Sequence, residues 1–486
     1  MWYIRGDLDT HEPIVAETNS NEPTERVSGH KPSVAALLSF LWPGLGQLYL
    51  RNRRIAALFA VPALLVLPLL AYEMRQGPIV FASRFADPTF ARRVALVLIL
   101  LGALRLAAVV HASVSGGLRA NSRTVDKVVL AALVAVIVVS HAGPSYLLAA
   151  TSDQVSQIYQ PKENLADLTT PVPSAGASPT EAPTPMPSVD HRVTILFTGA
   201  DDYVTRGQLL YDSIMVVSYD PVTNSVQMVN VPRDSTEFPL YFGNHSVGVP
   251  TWLRINAIPH YVKGGSIYGS PDSPYMTLVN EVSFLVGIKI DYYAAMDFSG
   301  FVQMVDLVGG IDIVNPSDIN DVAYYGWTGY DWLDGTYGFT LAAGPQHLDG
   351  RTALAYVRSR HGDNNNDSVR AGRQQQVLIA VLHKMAQPDQ ILNYPKLIST
   401  LVLNTTTDFP PDKVADYMAI GLNVPSQNIT NVVLGVDGGY STSMMKTVNN
   451  GSSCLFNAKV AQESITLFGT DSLWYGKPLP VNTCPE

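Results

Sequence analysis

A long uncharged apolar run limits what this chain can fold into. From Val128 to Ala150, 23 consecutive residues include no Asp, Glu, Lys or Arg. A membrane-spanning helix needs roughly 20 apolar residues, so this run is long enough to cross a bilayer. Earlier apolar stretches lie at 33–50, 55–72 and 94–113, and we interpret residues 33–150 as a membrane region with three or four apolar segments.

Basic residues around the last run predict its orientation. Arg119, Arg123 and Lys127 precede it, and the next base after it is Lys162. Because positive residues concentrate in cytoplasmic loops, we expect everything downstream to lie outside the cell. The stretch 33–50 then either re-enters the bilayer from a cytoplasmic N-terminus or spans it fully from an outer one.

One charged residue, Arg105, falls in the middle of the stretch 94–113. Charges inside a bilayer are costly and often functional. Arg105 is therefore either a functional group within the membrane or a structural residue that lines the helix bundle or snorkels to the membrane surface.

Composition separates the membrane region from what flanks it. Residues 1–32 are polar and lack apolar periodicity, which predicts a disordered tail. Six prolines stand between residues 171 and 188, a composition typical of an extended spacer. We therefore predict a Pro/Ser/Thr-rich linker over 151–190.

The part that follows the linker reads as a soluble α/β domain. From residue 191 onward, β-rich runs alternate with helical patterns and turn signals. We assign 191–435 to this domain and 436–486 to a C-terminal extension. The only two cysteines, Cys454 and Cys484, lie in that extension. Outside the cell disulfides persist, so a bridge between them is favoured over a reactive pair.

Strand ends in the α/β domain carry acidic and basic residues. One buried strand is predicted to end at Gly199, just before Asp201. Two further β-rich runs form a predicted hairpin and bring Asp212 and Arg233 to strand ends. Two carboxylates at one sheet edge suit a hard divalent cation that also binds phosphate oxygens. The alternative is that both simply cap backbone groups.

Arginines are unevenly distributed in this acidic protein. The net charge of -9 argues against a general nucleic-acid binder, which relies on a surplus of Lys and Arg. Yet five of the nine arginines after residue 190 lie between Arg351 and Arg373, with no Lys among them. Arginine binds phosphate through a planar, bidentate fork. The cluster favours a phosphate site over a solvated helix face, which usually mixes Lys and Glu.

Two predicted helices carry the arginine cluster. Asp349 suits the N-cap of a first helix, which delivers Arg358 and Arg360 at or just beyond its end. The second helix begins near Asp367, where free backbone N–H groups also favour an anion. At spacings of three and four, its first two turns present on one face Arg370, Arg373 and Gln374.

Motifs from about residue 192 to 435 resemble one known family. In order they read TGADD, YDSIMVVSYDP, VNVPRDS, RIN, DYYAAMDFSGFVQMVDLVGGIDI, GPQHLDGRTALAYVRSR and D-x2-R-x2-RQQQ. Together they resemble the LytR-CpsA-Psr family of bacterial cell-envelope phosphotransferases. The resemblance implies an α/β/α sandwich on the extracytoplasmic side of the plasma membrane, behind an N-terminal multi-span α-helical membrane region. It further implies an apolar cleft for a polyprenyl chain and a charged mouth for its diphosphate.

The resemblance also implies a reaction and its residues. A glycopolymer on polyprenyl diphosphate is transferred to peptidoglycan, which forms a phosphodiester and releases polyprenyl phosphate. Asp201 and Asp212 would hold Mg²⁺ or Mn²⁺. The implied catalytic residues are Arg233, Arg358, Arg360 and Asp212. The implied diphosphate contacts are Arg233, Arg358, Arg360, Arg370, Arg373 and Gln374. Candidates for the general base are Asp212, Asp201 and Asp234.

Two other functions fit the same site. One is a polyprenyl-diphosphate pyrophosphatase, in which water replaces the sugar hydroxyl. The other is a non-enzymatic regulator that binds envelope lipid, a transcriptional attenuator by the family's older description. The sequence also departs from the family, which commonly has Lys where Arg254 stands and a single membrane anchor.

Overall fold

The computed structural model describes most of the membrane region and of the outer domain. Its described segments are 31–158, 191–201, 210–236, 238, 253–263, 274–325, 337–360, 367–385, 387–393, 396–397, 400–401, 404–435, 445–447, 453–455 and 457–480. Residues 1–30 of the predicted tail, residues 159–190 of the predicted linker, the side chain of Asp201 and Cys484 lie outside this description. Residues 151–158, predicted as the start of the linker, instead continue the long helix Thr124–Ile158.

The N-terminal part of the described chain is helical. Its helices are α1 Pro32–Leu41, α2 Leu45–Tyr49, α3 Arg53–Glu73, α4 Pro78–Ser83, α5 Pro88–Ser115 and α6 Thr124–Ile158. Among the described residues, three helical stretches are long and apolar enough to cross a membrane, namely Arg53–Gln76, Pro88–Ser115 and Thr124–Asp153. The last contains the uncharged run from which the membrane region was predicted.

The first apolar stretch does not form one continuous helix. It breaks between Leu41 and Leu45, where Gly44 adopts φ 100°. The longer piece, α1, has 10 residues and therefore measures about 15 Å, half of the roughly 30 Å bilayer core. Of the two predicted arrangements, the broken helix favours re-entry over a full span.

Helices α1 and α2 pack against parts of α5 and α6 within one compact unit. Ala36, Val109, Leu133 and Ile137 form its buried apolar cluster. The Arg105 guanidinium lies 5.9 Å from the centre of the Phe40 ring. This contact matches the interpretation of Arg105 as a residue that lines the helix bundle.

The outer domain is built on a mixed six-stranded sheet. In spatial order its strands are β10 Thr405–Thr407, β5 Tyr292–Asp297, β1 Val193–Asp201, β2 Leu210–Asp220, β3 Ser225–Asn230 and β11 Ile429–Val433. β1 pairs antiparallel with β2 and parallel with β5, and β3 pairs antiparallel with β2 and parallel with β11. The predicted hairpin is therefore β2 and β3.

Shorter strands stand outside the main sheet. They are β4 Ser235–Thr236, β6 Ile311–Asn315, β7 Ile319–Tyr325, β8 Tyr337–Leu341, β9 Gly344–Leu348, β12 Met445–Thr447 and β13 Ser453–Leu455. Within the described residues β6 pairs with β9, β7 pairs with β8, and β13 pairs with both β12 and β4. The helices of this domain are α7 Ile258–Lys263, α8 Pro274–Val286, α9 Phe298–Leu307, α10 Gly350–Arg358, α11 Asp367–Met385, α12 Val414–Asn423 and α13 Asn457–Phe468.

Two apolar cores place helices on both sides of the sheet. One core joins buried residues of β1, β2 and β3 to α8 and α13. The other joins α9, α10 and α11 to the β6–β9 pair. This arrangement of helix, sheet and helix layers confirms the predicted α/β/α sandwich.

The C-terminal segment contributes to the first core rather than lying apart from it. Leu455, Val460 and Phe468 are buried there, and β13 runs parallel to β4. Cys454, in β13, is disulfide-bonded. Cys484 is the one other cysteine in the sequence.

A short segment between two long apolar helices contacts the outer domain. Helix α4 and the turn after it pack on α12, with Phe85 and Ala86 against Val414. Arg84 of this segment forms an ion pair with Glu73. The connection between α3 and α5 therefore packs against the outer domain.

Helix α10 begins at the predicted cap. The Asp349 side chain accepts a hydrogen bond of 2.8 Å from the backbone N–H of Thr352, as an N-cap does. Hydrogen bonds from the Thr352 side chain and backbone lower the pKa of Asp349 below its ordinary value. The cap contributes stability above the unfolded-state pKa of about 4, and this contribution is lost as pH falls through the lower folded-state pKa.

We expect Asp349→Ala to lower the free energy of unfolding by about 1 kcal/mol at pH 7. Chemical denaturation at pH 7 and at pH 2.5 measures the effect. The difference between wild type and variant should shrink at the lower pH, where the wild-type carboxyl becomes protonated. A difference that stays constant with pH would contradict the cap assignment.

Candidate functional site at one edge of the sheet

The strand register brings the predicted strand ends to one edge. β1 runs to Asp201, which pairs with Leu210 near the start of β2. β3 ends at Asn230, opposite Met215 of β2, so the loop that carries Arg233 starts at the same edge. The prediction that β1 ends at Gly199 was wrong, because pairing with β2 continues for two more residues.

A β-bulge presents two polar residues of β2 at this edge. Gly199 pairs with Ser213, but Ala200 pairs with Tyr211, so Asp212 is the extra residue. Tyr211 points into the apolar core, whereas Asp212 and Ser213 are only partly buried. Bulges bend a strand and redirect a side chain, often next to active sites. Here the bulge directs Asp212 and Ser213 towards the site.

Asp212 and Arg233 meet as the sequence predicted. The Arg233 guanidinium forms an ion pair with the Asp212 carboxylate across the start of the β3–β4 loop. Both side chains are largely buried. An ion pair with limited access to water is stronger than one on the surface, so this pair fixes Arg233 against β2.

Asp234 joins three arginines from separate segments. Its Oδ1 accepts from Nη1 of Arg254 at 2.7 Å, and its Oδ2 accepts from Nη2 of Arg360 at 3.0 Å. Nε of Arg233 lies 3.6 Å from the same Oδ2. The Asp234 side chain is 5% exposed. One carboxylate therefore holds together guanidinium groups that would otherwise repel each other.

Arg358 stands at the end of α10 with an unused donor. Its guanidinium lies over the Phe298 ring, 4.5 Å from the ring centre. Among the described residues its Nη1 is buried and has no hydrogen-bond partner. A buried donor without a partner is costly, more so when charged. An anionic ligand at this position would satisfy it.

Gln374 is tied to three elements. Its side-chain oxygen accepts from Oγ of Ser213 at 3.1 Å and from Nδ2 of Asn230 at 3.2 Å. Its Nε2 donates to the carbonyl of Val357 at 3.4 Å. The structure thus brings Gln374 to the bulge and to the last turn of α10, next to Arg358.

Arg370 and Arg373 are both buried, and their face of α11 is turned inward. Arg373 is 1% exposed, and its Nη2 donates to the carbonyl of Ser359 at 2.6 Å. A solvated helix face, the alternative considered for these residues, is therefore wrong. The predicted diphosphate contacts of Arg370 and Arg373 stay predictions.

The position of Asp212 fits a metal ion that is bound together with phosphate. In the described part of the chain, no group of three or more His, Cys, Asp or Glu is placed to hold a metal ion. Mg²⁺ in phosphate sites needs only one or two carboxylates, because substrate oxygens and water complete its shell. Asp212 beside the end of β1 fits this pattern.

Several features of the site escaped the sequence analysis. Asp234 was considered only as a base, and its role in joining arginines was missed, as was the contribution of Phe298. The bulge at Asp212 was also missed, since no local pattern indicates it. One available signal was the acidic residue directly after Arg233, because adjacent opposite charges at a strand end often share partners.

Comparison with known proteins places this site in a family. Residues 158–466 match the model of the LytR_cpsA_psr family. The polyisoprenyl-teichoic acid–peptidoglycan teichoic acid transferase TagV of Bacillus subtilis is 32% identical over 216 residues, which are 44% of this chain and 49% of TagV. TagU of Bacillus anthracis, with the same activity in its name, is 30% identical over 227 residues, 46% of this chain and 63% of TagU. The matches thus span about half to under two thirds of these relatives.

Further relatives have other names. The regulatory protein MsrR of Staphylococcus aureus is 28% identical over 283 residues, 57% of this chain and 75% of MsrR. The crystal structure of B. subtilis TagV covers 57% of this chain and 96% of its own, with 26% identity and a TM-score of 0.43. The family model covers well over half of the sequence, from residue 158 at the end of α6 to residue 466 within α13. The chain therefore belongs to the LytR_cpsA_psr family.

Proposed function

We propose that this protein transfers a glycopolymer from a polyprenyl-diphosphate carrier to peptidoglycan outside the cell. The acceptor hydroxyl attacks the phosphorus that carries the glycan. The bond from that phosphorus to the bridging oxygen breaks, polyprenyl phosphate leaves, and a base takes the hydroxyl proton. The names of TagV and TagU support a teichoic-acid-like polymer as the cargo.

The observation that carries this proposal is the arginine site at the sheet edge. Arg233, Arg254 and Arg360 converge on Asp234, and Arg358 offers a buried donor that has no partner among the residues described. Phosphoryl transfer depends mainly on positioning and charge neutralisation. A fixed cluster of guanidinium groups supplies both for a diphosphate.

Asp201 and Asp212 would hold a divalent cation, Mg²⁺ or Mn²⁺. A bound cation neutralises charge that develops on the phosphate oxygens. Arg233 already orients Asp212 through their ion pair. Asp212 also stays a candidate for the base, with Asp201, because either lies at the edge where the acceptor would enter.

The plasma membrane is the proposed location, with the outer domain on the extracytoplasmic side. Three apolar helices provide the anchor. The contact of α4 with α12 supports an extracytoplasmic position for the connection between α3 and α5, next to the outer domain. The opposite ends of α3 and α6 carry Arg53 and Lys127, as expected for cytoplasmic ends.

A binding-only regulator is the second candidate, favoured by the name of MsrR. The deciding experiment uses the full chain in detergent or nanodiscs, with farnesyl-diphosphate-linked N-acetylglucosamine, Mg²⁺ and uncrosslinked peptidoglycan strands. The transferase yields a phosphodiester on the strands and farnesyl phosphate. Farnesyl phosphate without the phosphodiester indicates hydrolysis. Probe binding without either product indicates a regulator and refutes both enzymes.

Metal dependence should follow Asp212. We expect Asp212→Asn to lower the transfer rate about 100-fold at 1 mM Mg²⁺, because one metal ligand loses its charge and the ion pair between Asp212 and Arg233 is lost. Raising Mg²⁺ to 20 mM should recover part of the activity in this variant and none in wild type. Asp220→Asn, at the opposite end of β2, is the matched control. An unchanged Mg²⁺ requirement in Asp212→Asn would remove Asp212 from the metal site.

A further inference from the structure

Ser359, between Arg358 and Arg360, is fixed by hydrogen bonds of its amide, its hydroxyl and its carbonyl. Ser359 is fully buried, and its backbone N–H donates to the carbonyl of Ala355 at 2.9 Å. Its Oγ donates to Oδ2 of Asp321 at 2.7 Å. Its carbonyl accepts from Nη2 of Arg373 at 2.6 Å. Side chains from two other elements, β7 and α11, thus fix this one residue.

The same contacts fix the backbone of Arg360. The backbone N–H of Arg360 donates to Oδ2 of Asp321 at 3.0 Å, so this oxygen accepts two hydrogen bonds from adjacent residues. Ser359 has φ -55° and ψ 133°, a non-helical conformation that ends the helix. Its side chain is fully buried, whereas Arg358 lies over the Phe298 ring and Arg360 donates to Asp234 at the site.

Stability alone does not explain why charged side chains are buried here, because removing a charge from water costs free energy. Asp321 and Arg373 are each 1% exposed. Buried ionic groups can often be replaced by apolar side chains without loss of stability. The end of a helix requires neither Asp321 nor Arg373, because backbone N–H groups after a glycine, or water, commonly satisfy the last carbonyls. The contacts converge on the one peptide that sets the separation of Arg358 and Arg360.

We propose that Asp321, Ser359 and Arg373 form a clamp that sets the spacing and direction of the Arg358–Arg360 pair for binding a diphosphate. Arg373 is a positioning residue in this clamp, acting through the carbonyl of Ser359. The Tyr356 ring supports it, with the Arg373 guanidinium 5.3 Å from the ring centre. Tyr356 is itself fixed by a 2.7 Å hydrogen bond from its hydroxyl to Oε1 of Gln376. The clamp rests on the proposed function, since it gives the two arginines a shared ligand.

The variants that test the clamp differ in severity. Ser359→Ala removes one hydrogen bond and leaves both charges in place. Asp321→Asn keeps the shape but replaces an acceptor that serves two donors. Arg373→Met removes the contact to the Ser359 carbonyl, and Arg373→Lys keeps the charge with a single donor group. Asp312→Asn is the matched control, because Asp312 lies in β6 and forms an exposed ion pair with His347.

Hydrogen–deuterium exchange of the full chain measures how well the clamp protects backbone amides, and it needs no substrate. We expect faster exchange of the Ser359 and Arg360 amides in Ser359→Ala and Asp321→Asn, with exchange in β1 and β2 unchanged. Unchanged exchange at Ser359 and Arg360 in both variants would overturn the proposal. This readout separates the clamp from the proposed function, because a protein that makes no product still reports on it.

Binding and kinetics give the second readout. Kinetic constants are expressed per mole of folded protein. We expect Asp321→Asn and Arg373→Met to lower kcat about 100-fold, as misplacement of a catalytic group by about 1 Å does. The Kd of farnesyl diphosphate should rise about tenfold. Arg373→Lys should recover part of the loss, and Ser359→Ala should lose about tenfold in kcat.

The double variant Ser359→Ala/Asp321→Asn should be no worse than Asp321→Asn, because residues that act as one unit are not additive. Wild-type kcat and Kd in all folded variants would overturn the clamp. Losses that disappear once the folded fraction is counted would show a purely structural role and overturn it as well. A wild type that makes no product refutes the transferase, while exchange and farnesyl diphosphate binding still decide on the clamp.

Discussion

Arg358→Ala should lower kcat for glycopolymer transfer by about 10²- to 10³-fold, the usual cost of removing one preorganised donor to developing charge. Arg358 combines a buried Nη1 that has no partner within the described part of the chain with a contact to the Phe298 ring, 4.5 Å from the ring centre. The substrate supplies the missing partner, so the contact is strongest when phosphate charge builds up. Stability should change little, because the variant removes an unsatisfied donor.

Arg358→Lys separates charge from geometry. Lys retains a positive charge but cannot form two parallel hydrogen bonds, so we expect it to recover at most about tenfold of the loss. Arg351→Ala is the matched control, an exposed arginine at the start of the same helix. Initial rates with the farnesyl-diphosphate-linked probe measure all three. Equal rates for Arg358→Ala and Arg351→Ala would remove Arg358 from the site.

Features set by neighbouring residues were predictable from the sequence. The cap at Asp349 and the end of α10 near Arg358 follow from side-chain chemistry within a few positions. The meeting of Asp212 and Arg233 follows from one hairpin, since antiparallel strands bring the start of one next to the end of the other. These are local patterns, and the structure confirms them.

Features that depend on distant contacts were not predictable. Asp234 meets Arg360 across 126 positions of sequence, and no periodicity encodes that approach. Helical spacing put Arg370, Arg373 and Gln374 on one face, but only packing decided that Arg370 and Arg373 are buried. The bulge at Asp212 arises from the pairing of two strands, so neither strand reveals it alone.

In the membrane region too, some features were predictable from the sequence and others depended on the folded structure. Hydropathy found the long helices because composition alone decides whether a helix suits a bilayer. It left two arrangements for the stretch 33–50. The break at Gly44 favours re-entry, and it rests on a left-handed backbone conformation that glycine adopts without strain.

The role of Asp234 leads to a result that separates positioning from base catalysis. Asp234→Asn removes the charge that offsets Arg254 and Arg360. Without that carboxylate the site is more positive and attracts the diphosphate anion more strongly. We therefore expect a lower KM for the diphosphate substrate. The arginines also lose their fixed directions, so kcat should fall about 100-fold. A simultaneous fall in both constants is the signature of a positioning carboxylate.

A general base would behave differently. Both oxygens of Asp234 already accept N–H groups from arginine, which leaves little capacity to take a proton from an acceptor hydroxyl. If Asp234 is not the base, the acidic limb of the pH profile of kcat persists in Asp234→Asn. Asp471→Asn, which makes the same change at the exposed partner of Arg192, is the control. Loss of the acidic limb with an unchanged KM would identify Asp234 as the base and contradict its assignment as the carboxylate that holds the arginines.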